Sequence, residues 1–331
     1  MKIEAIINEK IFLAGATGMV GSAIKRAFNK LKFEDESNLL SPSRKELDLL
    51  DLRAVNTWFN KNKPSIVILA AAKVGGILAN SLYPADFLIQ NIKIQNNVIE
   101  AAFTHGVKRL IFLGSSCIYP KFASQPIKEE SLLMNYLEST NEYYAIAKIA
   151  GLKLCESLRK QYGFDAISLM PTNLYGPNDN YHPQNSHVMA ALIRKFFIAK
   201  KENLRSVTCW GTGSVLREFM HVDDLADAVI FCLENWYPSN ENAPLNSSGD
   251  CLTHLNVGTG KDISIKQLAL KIAHYTNFKG EILWDISKPD GTPRKVLDTT
   301  HINSLGWKAK IKLDHGIKNT INNFDMSSLQ K

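Results

Sequence analysis

The chain has 331 residues, of which 45% are hydrophobic and 21% are charged, a balance typical of a globular protein with a large core or two fused domains. Its formal charge of +7 comes from 39 basic and 32 acidic residues, and the basic residues are scattered, which argues against a nucleic-acid-binding tail. A small anionic partner such as a nucleotide explains this charge, and so does a solvated basic surface without a function.

The cysteine pattern and the lengths of the apolar runs indicate the cellular compartment of the protein. The 5 cysteines are odd in number, widely spaced and without a C-x-x-C pair, so neither a disulfide framework nor a zinc site is expected. Residues 1–10 are mixed in polarity, and no apolar run reaches the roughly 18 residues that a membrane span needs. We therefore expect a cytoplasmic protein without signal peptide, membrane anchor or metal.

The first half alternates short apolar runs with longer amphipathic segments. The predicted strands are Ile11–Ala14, Ile66–Ala70, Leu110–Leu113 and Ile167–Met170. A helix is predicted between the first two strands, from apolar residues at helical spacing, and another over residues 85–105. This alternation predicts an α/β fold, a Rossmann-like doubly wound parallel sheet.

The second half has loops rich in proline, asparagine and glycine between shorter elements, which indicates a smaller C-terminal α/β substrate-binding domain. Residues 222–233 again resemble a helix and His254–Val257 a buried strand, so the chain is expected to return to the sheet. The predicted nucleotide-binding domain covers 1–172 with return segments near 218–260. The predicted substrate-binding domain covers 173–217 and 261–331.

The first helix is preceded by a glycine-rich loop with the spacing G-x-x-G-x-x-G. The loop runs through Gly15, Ala16, Thr17, Gly18, Met19, Val20 and Gly21. Glycines at this spacing permit a tight turn, close backbone approach to a pyrophosphate and close helix packing. A helix N-terminus would then face the phosphates of a dinucleotide. A structural turn is the alternative for a glycine triplet alone.

The segment at residues 41–45 distinguishes NADP from NAD, because it follows a further strand of the sheet expected between the first helix and Ile66. A carboxylate that binds the ribose is usual there for NAD, but this chain has Ser41-Pro42-Ser43-Arg44-Lys45, with hydroxyls and cations suited to a phosphate. We therefore expect NADP(H), bound partly by Arg44. An exposed basic loop without a ligand is the alternative.

Three residues suggest a carbonyl reductase. Ser115 follows the predicted strand Leu110–Leu113, and Tyr144 and Lys148 lie four residues apart on one face of the next helix. Tyr144 suits a proton donor to a carbonyl that receives hydride, with its pKa lowered by the Lys148 ammonium. Lys148 can also hold the nicotinamide ribose, and the Ser115 hydroxyl can polarise the carbonyl oxygen. Tyr143 competes, but the spacing to Lys148 favours Tyr144.

With these residues, the chain resembles the GDP-L-fucose synthase family of extended short-chain dehydrogenases over nearly its whole length. The matching blocks are 70–76 (AAAKVGG), 113–120 (LGSSCIYP), 145–151 (AIAKIAG), 171–177 (PTNLYGP), 185–188 (NSHV), 217–224 (REF-HVDD) and 288–295 (KPDGTPRK). The glycine loop departs from bacterial relatives in carrying Thr17 in place of a basic residue. Arg44 and its neighbours, including Lys45, must then hold the 2′-phosphate.

The resemblance implies roles for residues that the spacing alone does not assign. It implies that Ser115, Tyr144 and Lys148 perform a reduction and that Cys117 and His187 exchange protons in an epimerisation. Without it, Cys117 is interpreted as a small core residue and His187 as a loop or cap residue. It further implies a cofactor site that includes His187 and Leu113, Gly114, Ser116, Pro171, Thr172, Asn173 and Leu174. The GDP-sugar pocket would be lined by Lys195, Trp210, Arg217, Asp290 and Lys295.

These residues imply the NADPH-dependent conversion of GDP-4-keto-6-deoxy-D-mannose to GDP-L-fucose. A related GDP-4-keto sugar of the colitose or heptose type, a reductase or dehydratase without the epimerase step, and a non-catalytic nucleotide sensor are the alternatives. Intact Cys117, His187, Tyr144 and Lys148 argue against the sensor and the simple reductase. Apolar positions on several faces of the helices at 85–105 and 143–162 predict a homodimer.

Overall fold

The computed structural model describes residues 2–31, 36–288 and 290–324, so Pro289 of the block at 288–295 lies outside the described residues. The helices are α1 (Ile3–Ile7), α2 (Met19–Asn29), α3 (Leu52–Asn62), α4 (Ile77–Leu82), α5 (Pro84–Thr104), α6 (Glu142–Tyr162), α7 (Val188–Lys201), α8 (Val222–Asn235), α9 (Ile265–Tyr275), α10 (Thr300–Ser304) and α11 (Leu313–Asn322). The strands are β1 (Ile11–Ala14), β2 (Leu39–Leu40), β3 (Ile66–Leu69), β4 (Arg109–Leu113), β5 (Ala166–Pro171), β6 (Asn173–Tyr175), β7 (Ser206–Trp210), β8 (Leu216–His221), β9 (His254–Val257), β10 (Asp262–Ser264), β11 (Glu281–Asp285) and β12 (Arg294–Lys295).

A six-stranded parallel sheet with the order β2-β1-β3-β4-β5-β9 forms the centre of the molecule. Ile11 pairs with Leu39 on one side and with Ile66 on the other, so the order reverses at β1. In such sheets a ligand binds beyond the carboxyl ends of the strands, at the point where the order reverses. The predicted fold class is confirmed, and each of the four strands predicted in the first half matches within one residue.

Alternate residues of the strands enter two cores, one on each face of the sheet. Ile11 and Leu13 of β1 join the core beneath α2 and α8, whereas Phe12 and Ala14 join the core beneath α3, α5 and α6. This is why the strands are apolar without alternation: both faces are covered by helices. The sheet therefore holds the ends of its strands as a rigid platform for side chains.

The second half builds a third core from α7, α9, α11 and the parallel pair β7–β11. Strand β8 lies between β10 and β12 and also pairs with β6, which continues directly from the sheet strand β5. The strand predicted at His254–Val257 is confirmed as β9 at the sheet edge. The predicted domain boundaries stay a prediction. No helix of the described residues is long and apolar enough to span a membrane.

Candidate active site

The glycine loop between β1 and α2 requires glycine at two positions. Gly15 has a φ of +87°, and a Cβ there would lie 2.7 Å from the backbone nitrogen of Ala71. A Cβ at Gly21 would lie 2.0 Å from the carbonyl oxygen of Gly15. The loop therefore packs closely against the end of β3 and places the N-terminus of α2 at the crevice. This cradle fits the pyrophosphate of a dinucleotide.

The segment after β2 presents cations to solvent at the edge of the same crevice. The Arg44 side chain is 76% exposed and forms a long ion pair of 4.0 Å with the Asp48 carboxylate, so the guanidinium is accessible to a second anion. Lys25, on α2, donates a hydrogen bond to the Ser41 hydroxyl over 3.1 Å. Lys25 was not among the predicted cofactor residues, because only the parallel pairing of β1 with β2 brings it beside Ser41.

The loops after β4 and β5, which carry residues predicted to contact the cofactor, follow the carboxyl ends of two neighbouring parallel strands. A Cβ at Gly114 would lie 2.3 Å from the Met170 side chain, so these two strand ends approach closely. Thr172 and Asn173 donate side-chain hydrogen bonds to the carbonyl oxygen of Glu218, over 3.3 and 2.8 Å. Residues 171–174 thus connect the sheet to β8, which carries part of the predicted substrate pocket.

Ser115 follows β4 and positions Cys117. Its Oγ accepts a hydrogen bond from the Cys117 amide over 3.2 Å and caps the short 3₁₀ helix Ser116–Ile118. The buried Ser116 lies between them, with its side chain away from solvent. A strand end followed by this single turn therefore places the Ser115 hydroxyl and the Cys117 thiol in one pocket.

Tyr144 and Lys148 face this pocket from α6. Burial raises the pKa of Tyr144 well above its ordinary value, a negative charge on Cys117 would raise it further, and a hydrogen bond with Ser115 lowers it. The sequence-based expectation that Lys148 lowers the Tyr144 pKa is wrong for this geometry. The Lys148 ammonium donates to the Leu113 carbonyl oxygen over 2.8 Å and lies 5.9 Å from the centre of the tyrosine ring.

Lys148 is itself strongly perturbed. It is 3% exposed, and burial lowers its pKa to about 7. The cause is the cost of holding an ammonium group away from water, which one carbonyl oxygen offsets only in part. Lys148 therefore gains and loses its proton near neutral pH.

Cys117 has two hydrogen-bond donors beside its sulfur. Asn141, the residue before α6, reaches the sulfur over 3.4 Å, and Lys295 of β12 reaches it over 3.5 Å. Lys295 was predicted from the resemblance to line the sugar-nucleotide pocket, and the structure places its ammonium at the predicted proton-transfer residue. A residue predicted for the sugar-nucleotide pocket and a residue predicted for proton transfer therefore meet at the Cys117 sulfur.

His187 precedes α7 at the end of the loop after β6. Burial of the imidazole ring among protein atoms lowers its pKa, although part of the residue's surface stays exposed. The loop is held by the amide of Gly76, which donates to the Asn185 carbonyl oxygen over 3.0 Å. Among the hydrogen bonds of the described residues, none joins His187 to Ser115, Cys117 or Tyr144.

An aromatic ring flanked by cations marks the far end of the pocket. Trp210, at the end of β7, is 49% exposed. The Lys195 and Lys288 ammonium groups lie 5.4 and 5.7 Å from the centre of its ring system. Lys288 was not among the predicted site residues, and its place in the family-like block at 288–295 was the signal available. A ring that stacks on a base beside two cations suits a nucleoside diphosphate.

Arg217 and Asp290 connect this end of the pocket to Cys117. Arg217 donates to the Asp290 carbonyl oxygen over 3.2 Å and is the direct neighbour of Lys295 in the β8–β12 register. The Asp290 carboxylate accepts hydrogen bonds from the amide and the hydroxyl of Thr212, over 2.8 and 2.9 Å. Asp290 therefore shapes the loop after β7, while Arg217 and Lys295 put two cations side by side.

The fold and this arrangement define a dinucleotide-dependent oxidoreductase, and comparison with known proteins agrees. A model of the NAD dependent epimerase/dehydratase family matches residues 11–246. GDP-L-fucose synthase 1 of Arabidopsis thaliana is 54% identical over 95% of this chain and 92% of its own length. GDP-L-fucose synthase of Escherichia coli (strain K12) is 51% identical, covering 95% of each chain. The chain therefore belongs to the NAD dependent epimerase/dehydratase family and, within it, to the GDP-L-fucose synthases.

A solved structure extends the comparison to the cofactor. The GDP-mannoheptose C4 reductase from Campylobacter jejuni with NADP bound is 39% identical, with a TM-score of 0.83. The alignment covers 96% of this chain and 98% of that one.

Proposed function

We propose that this protein converts GDP-4-keto-6-deoxy-D-mannose to GDP-L-fucose, by epimerisation at C3 and C5 followed by reduction at C4 with NADPH. The observation that carries the proposal is the meeting of the Ser115, Cys117 and Tyr144 side chains in one pocket. Membership in the GDP-L-fucose synthases gives it independent support.

Proton transfer at carbon is the first task of the pocket. The C4 ketone of the sugar acidifies the hydrogens on C3 and C5, and Cys117 is placed to accept one of these protons as a thiolate. The electron pair moves to the C4 oxygen, where the Ser115 and Tyr144 hydroxyls stabilise the negative charge. His187 returns a proton from the opposite face, because inversion requires one group on each face.

Reduction uses the same oxyanion site. NADPH, when bound along the glycine loop, supplies hydride to C4. The raised pKa of Tyr144 keeps its hydroxyl protonated at neutral pH, so that it acts as the donor to the C4 oxygen. Lys148, with a pKa of about 7, is placed to hold the ribose and to replace the proton that Tyr144 loses.

The cofactor is NADP(H), and the structure offers groups for its anionic parts. The cradle made by Gly15 and Gly21 excludes side chains where the pyrophosphate would lie. Arg44, with Ser41 and Ser43 nearby, is exposed for the 2′-phosphate. These residues fit NADP(H) without a basic side chain at position 17.

The sugar nucleotide is assigned to the pocket between Trp210 and Cys117. Trp210 would stack on the base, Lys195 and Arg217 would bind the diphosphate, and the sugar would extend to Ser115. This assignment agrees with the proposed division into a nucleotide-binding domain at 1–172, with returns near 218–260, and a substrate-binding domain. We also infer a cytoplasmic homodimer, with α5 and α6 at its interface.

One alternative sugar has specific support. The similar Campylobacter jejuni structure is a GDP-mannoheptose C4 reductase, so a heptose or another related GDP-4-keto sugar is the second candidate. The two candidates differ in the need for epimerisation, since a plain C4 reductase does not require Cys117 with His187.

The deciding experiment offers the purified protein NADPH with GDP-4-keto-6-deoxy-mannose, its 3-deoxy analogue or the heptose analogue. We expect the fastest NADPH oxidation with the first sugar and a product with inverted C3 and C5 by NMR. Faster turnover of the heptose, or a product inverted at neither carbon, would replace this proposal by the C4 reductase.

A further inference from the structure

The sulfur of Cys117 is held between two donor groups from distant parts of the chain. Asn141 Nδ2 lies 3.4 Å from Sγ, and Lys295 Nζ lies 3.5 Å from it. A neutral thiol is a weak acceptor, whereas a thiolate accepts hydrogen bonds and attracts a neighbouring cation. The sulfur therefore has an amide donor and a cation beside it, each from a distant part of the chain.

The backbone around Lys295 is held by strand pairing and by hydrogen bonds to two side chains. Strand β12 pairs with β8, and the amide of Val296 donates to the Gln125 side chain over 3.0 Å. The amide of Leu297 donates to the fully buried Glu218 carboxylate over 2.8 Å. Among the described residues, no carboxylate forms an ion pair with Lys295, so its charge is not neutralised by a neighbour.

Arg217 and Tyr144 are further titratable groups near Cys117. Arg217, beside Lys295 on β8, adds a second cation. Tyr144 on α6 is neutral, because burial raises its pKa. Two acids lie near Arg217: Glu138 forms an ion pair with Lys121 over 2.9 Å, and the Asp290 carboxylate accepts hydrogen bonds from Thr212. Among these groups, Lys295 is the cation that touches the sulfur.

We propose that Lys295 is a positioning residue that keeps Cys117 as the thiolate, in addition to lining the sugar-nucleotide pocket. The inference rests on the proposed function, in which this thiolate is the base of the epimerisation. When it acts, the C–H bond at C3 or C5 breaks, the proton forms an S–H bond, and the electron pair moves toward the C4 oxygen. Lys295 keeps its own proton throughout.

The test measures the thiolate directly, without any sugar nucleotide. In a Cys251→Ser background, which removes the exposed cysteine, alkylation of Cys117 by iodoacetamide is followed by mass spectrometry from pH 6 to 10. We compare Lys295→Gln with Lys295→Arg, which retains the charge. Lys195→Gln is the matched control, because it removes a cation of the same pocket that contacts Thr208 and Trp210 instead of the sulfur.

We expect Lys295→Gln to slow alkylation about tenfold at pH 7 and to move the half-maximal rate about one pH unit higher. Lys295→Arg and Lys195→Gln should keep the parent profile. An unchanged profile in Lys295→Gln, or an equal shift in Lys295→Arg, overturns the proposal, and circular dichroism identifies any variant that fails to fold. Since no sugar is present, this result is independent of which GDP-sugar the enzyme uses.

Discussion

The amide of Gly76 donates a hydrogen bond to the carbonyl oxygen of Asn185 over 3.0 Å, two residues before His187. The loop after β3 thus holds the loop that ends in the predicted proton donor. A Cβ at Gly76 would lie 2.3 Å from the Ser186 carbonyl oxygen. The placement of His187 therefore depends on glycine at position 76, where a side chain would collide with the neighbouring loop.

Gly76→Ala should impair epimerisation more than reduction. The backbone at Gly76, with φ −69° and ψ −179°, accepts alanine, so the clash with Ser186 is the main change and should displace His187. We expect deuterium exchange at C3 and C5 to slow about tenfold, with a smaller effect on hydride transfer to an already epimerised ketone. Val74→Ala, at an exposed side chain in the same loop, is the control. Normal exchange in Gly76→Ala would show that the loop tolerates the methyl group.

Cys117→Ser and Tyr144→Phe should separate the two reactions. Loss of the thiol removes the base, so we expect Cys117→Ser nearly to abolish deuterium wash-in at C3 and C5 from heavy water while hydride transfer to the epimerised ketone continues. Tyr144→Phe should do the reverse, since exchange retains Ser115 at the oxyanion. Both activities are measured by NMR and NADPH oxidation. Wash-in at the normal rate in Cys117→Ser would return Cys117 to a small residue of the pocket wall.

Lys25 and Arg44 should together determine the preference for NADPH. Replacing either residue by alanine removes one cation that would bind the 2′-phosphate. We therefore expect NADPH binding to weaken about tenfold per substitution and NADH binding to change little. Fluorescence titration measures both constants, and Lys30→Ala, just beyond the end of α2, is the control. Equal or tighter binding of NADH by the unmodified protein would contradict the assignment of this segment.

The burial of Lys148 makes folding stability depend on pH. Its pKa falls from the ordinary 10.5 to about 7 in the folded protein, so between these values the unfolded chain binds the additional proton. Stability from this group therefore increases as the pH rises from about 7 toward 10. Lys148→Met should flatten that increase, measured as Tm at pH 7, 8 and 9. The same slope in the variant would assign the pH dependence to other groups.

The exposed apolar side chains of α5 and α6 predict self-association. Ile89 is 52%, Tyr143 46% and Ile146 40% exposed in the single chain. Burying them in a symmetric interface would remove this apolar surface from water. We expect a dimer by light scattering at micromolar concentration and a monomer for Ile146→Glu, with Leu270→Glu, an exposed leucine on α9, as the control. A monomeric unmodified protein would refute the interface.

Local patterns in the sequence determined the sheet and the positions along the chain of its functional loops. The strands β1 and β3 are predictable because both faces of the sheet are buried, which makes them continuously apolar. Strand β9 has the sequence HLNV, in which Leu255 and Val257 alternate with polar residues. The glycine loop is predictable because its conformation excludes side chains at Gly15 and Gly21. Ser115, Tyr144 and Lys148 were found because strand end and helix spacing fix their geometry locally.

Long-range packing decided which residues far apart in the sequence are neighbours, and motif spacing along the chain holds no information on this. Lys295 meets Cys117, 178 positions earlier, through the strand β12, which pairs with β8 in the second half of the molecule. Lys25 meets Ser41 because two parallel strands lie side by side. Burial reversed the expected shift of the Tyr144 pKa, since desolvation depends on all the atoms around a hydroxyl. The sequence determined which groups are present, and the tertiary structure decided which of them are neighbours and how far each is removed from water.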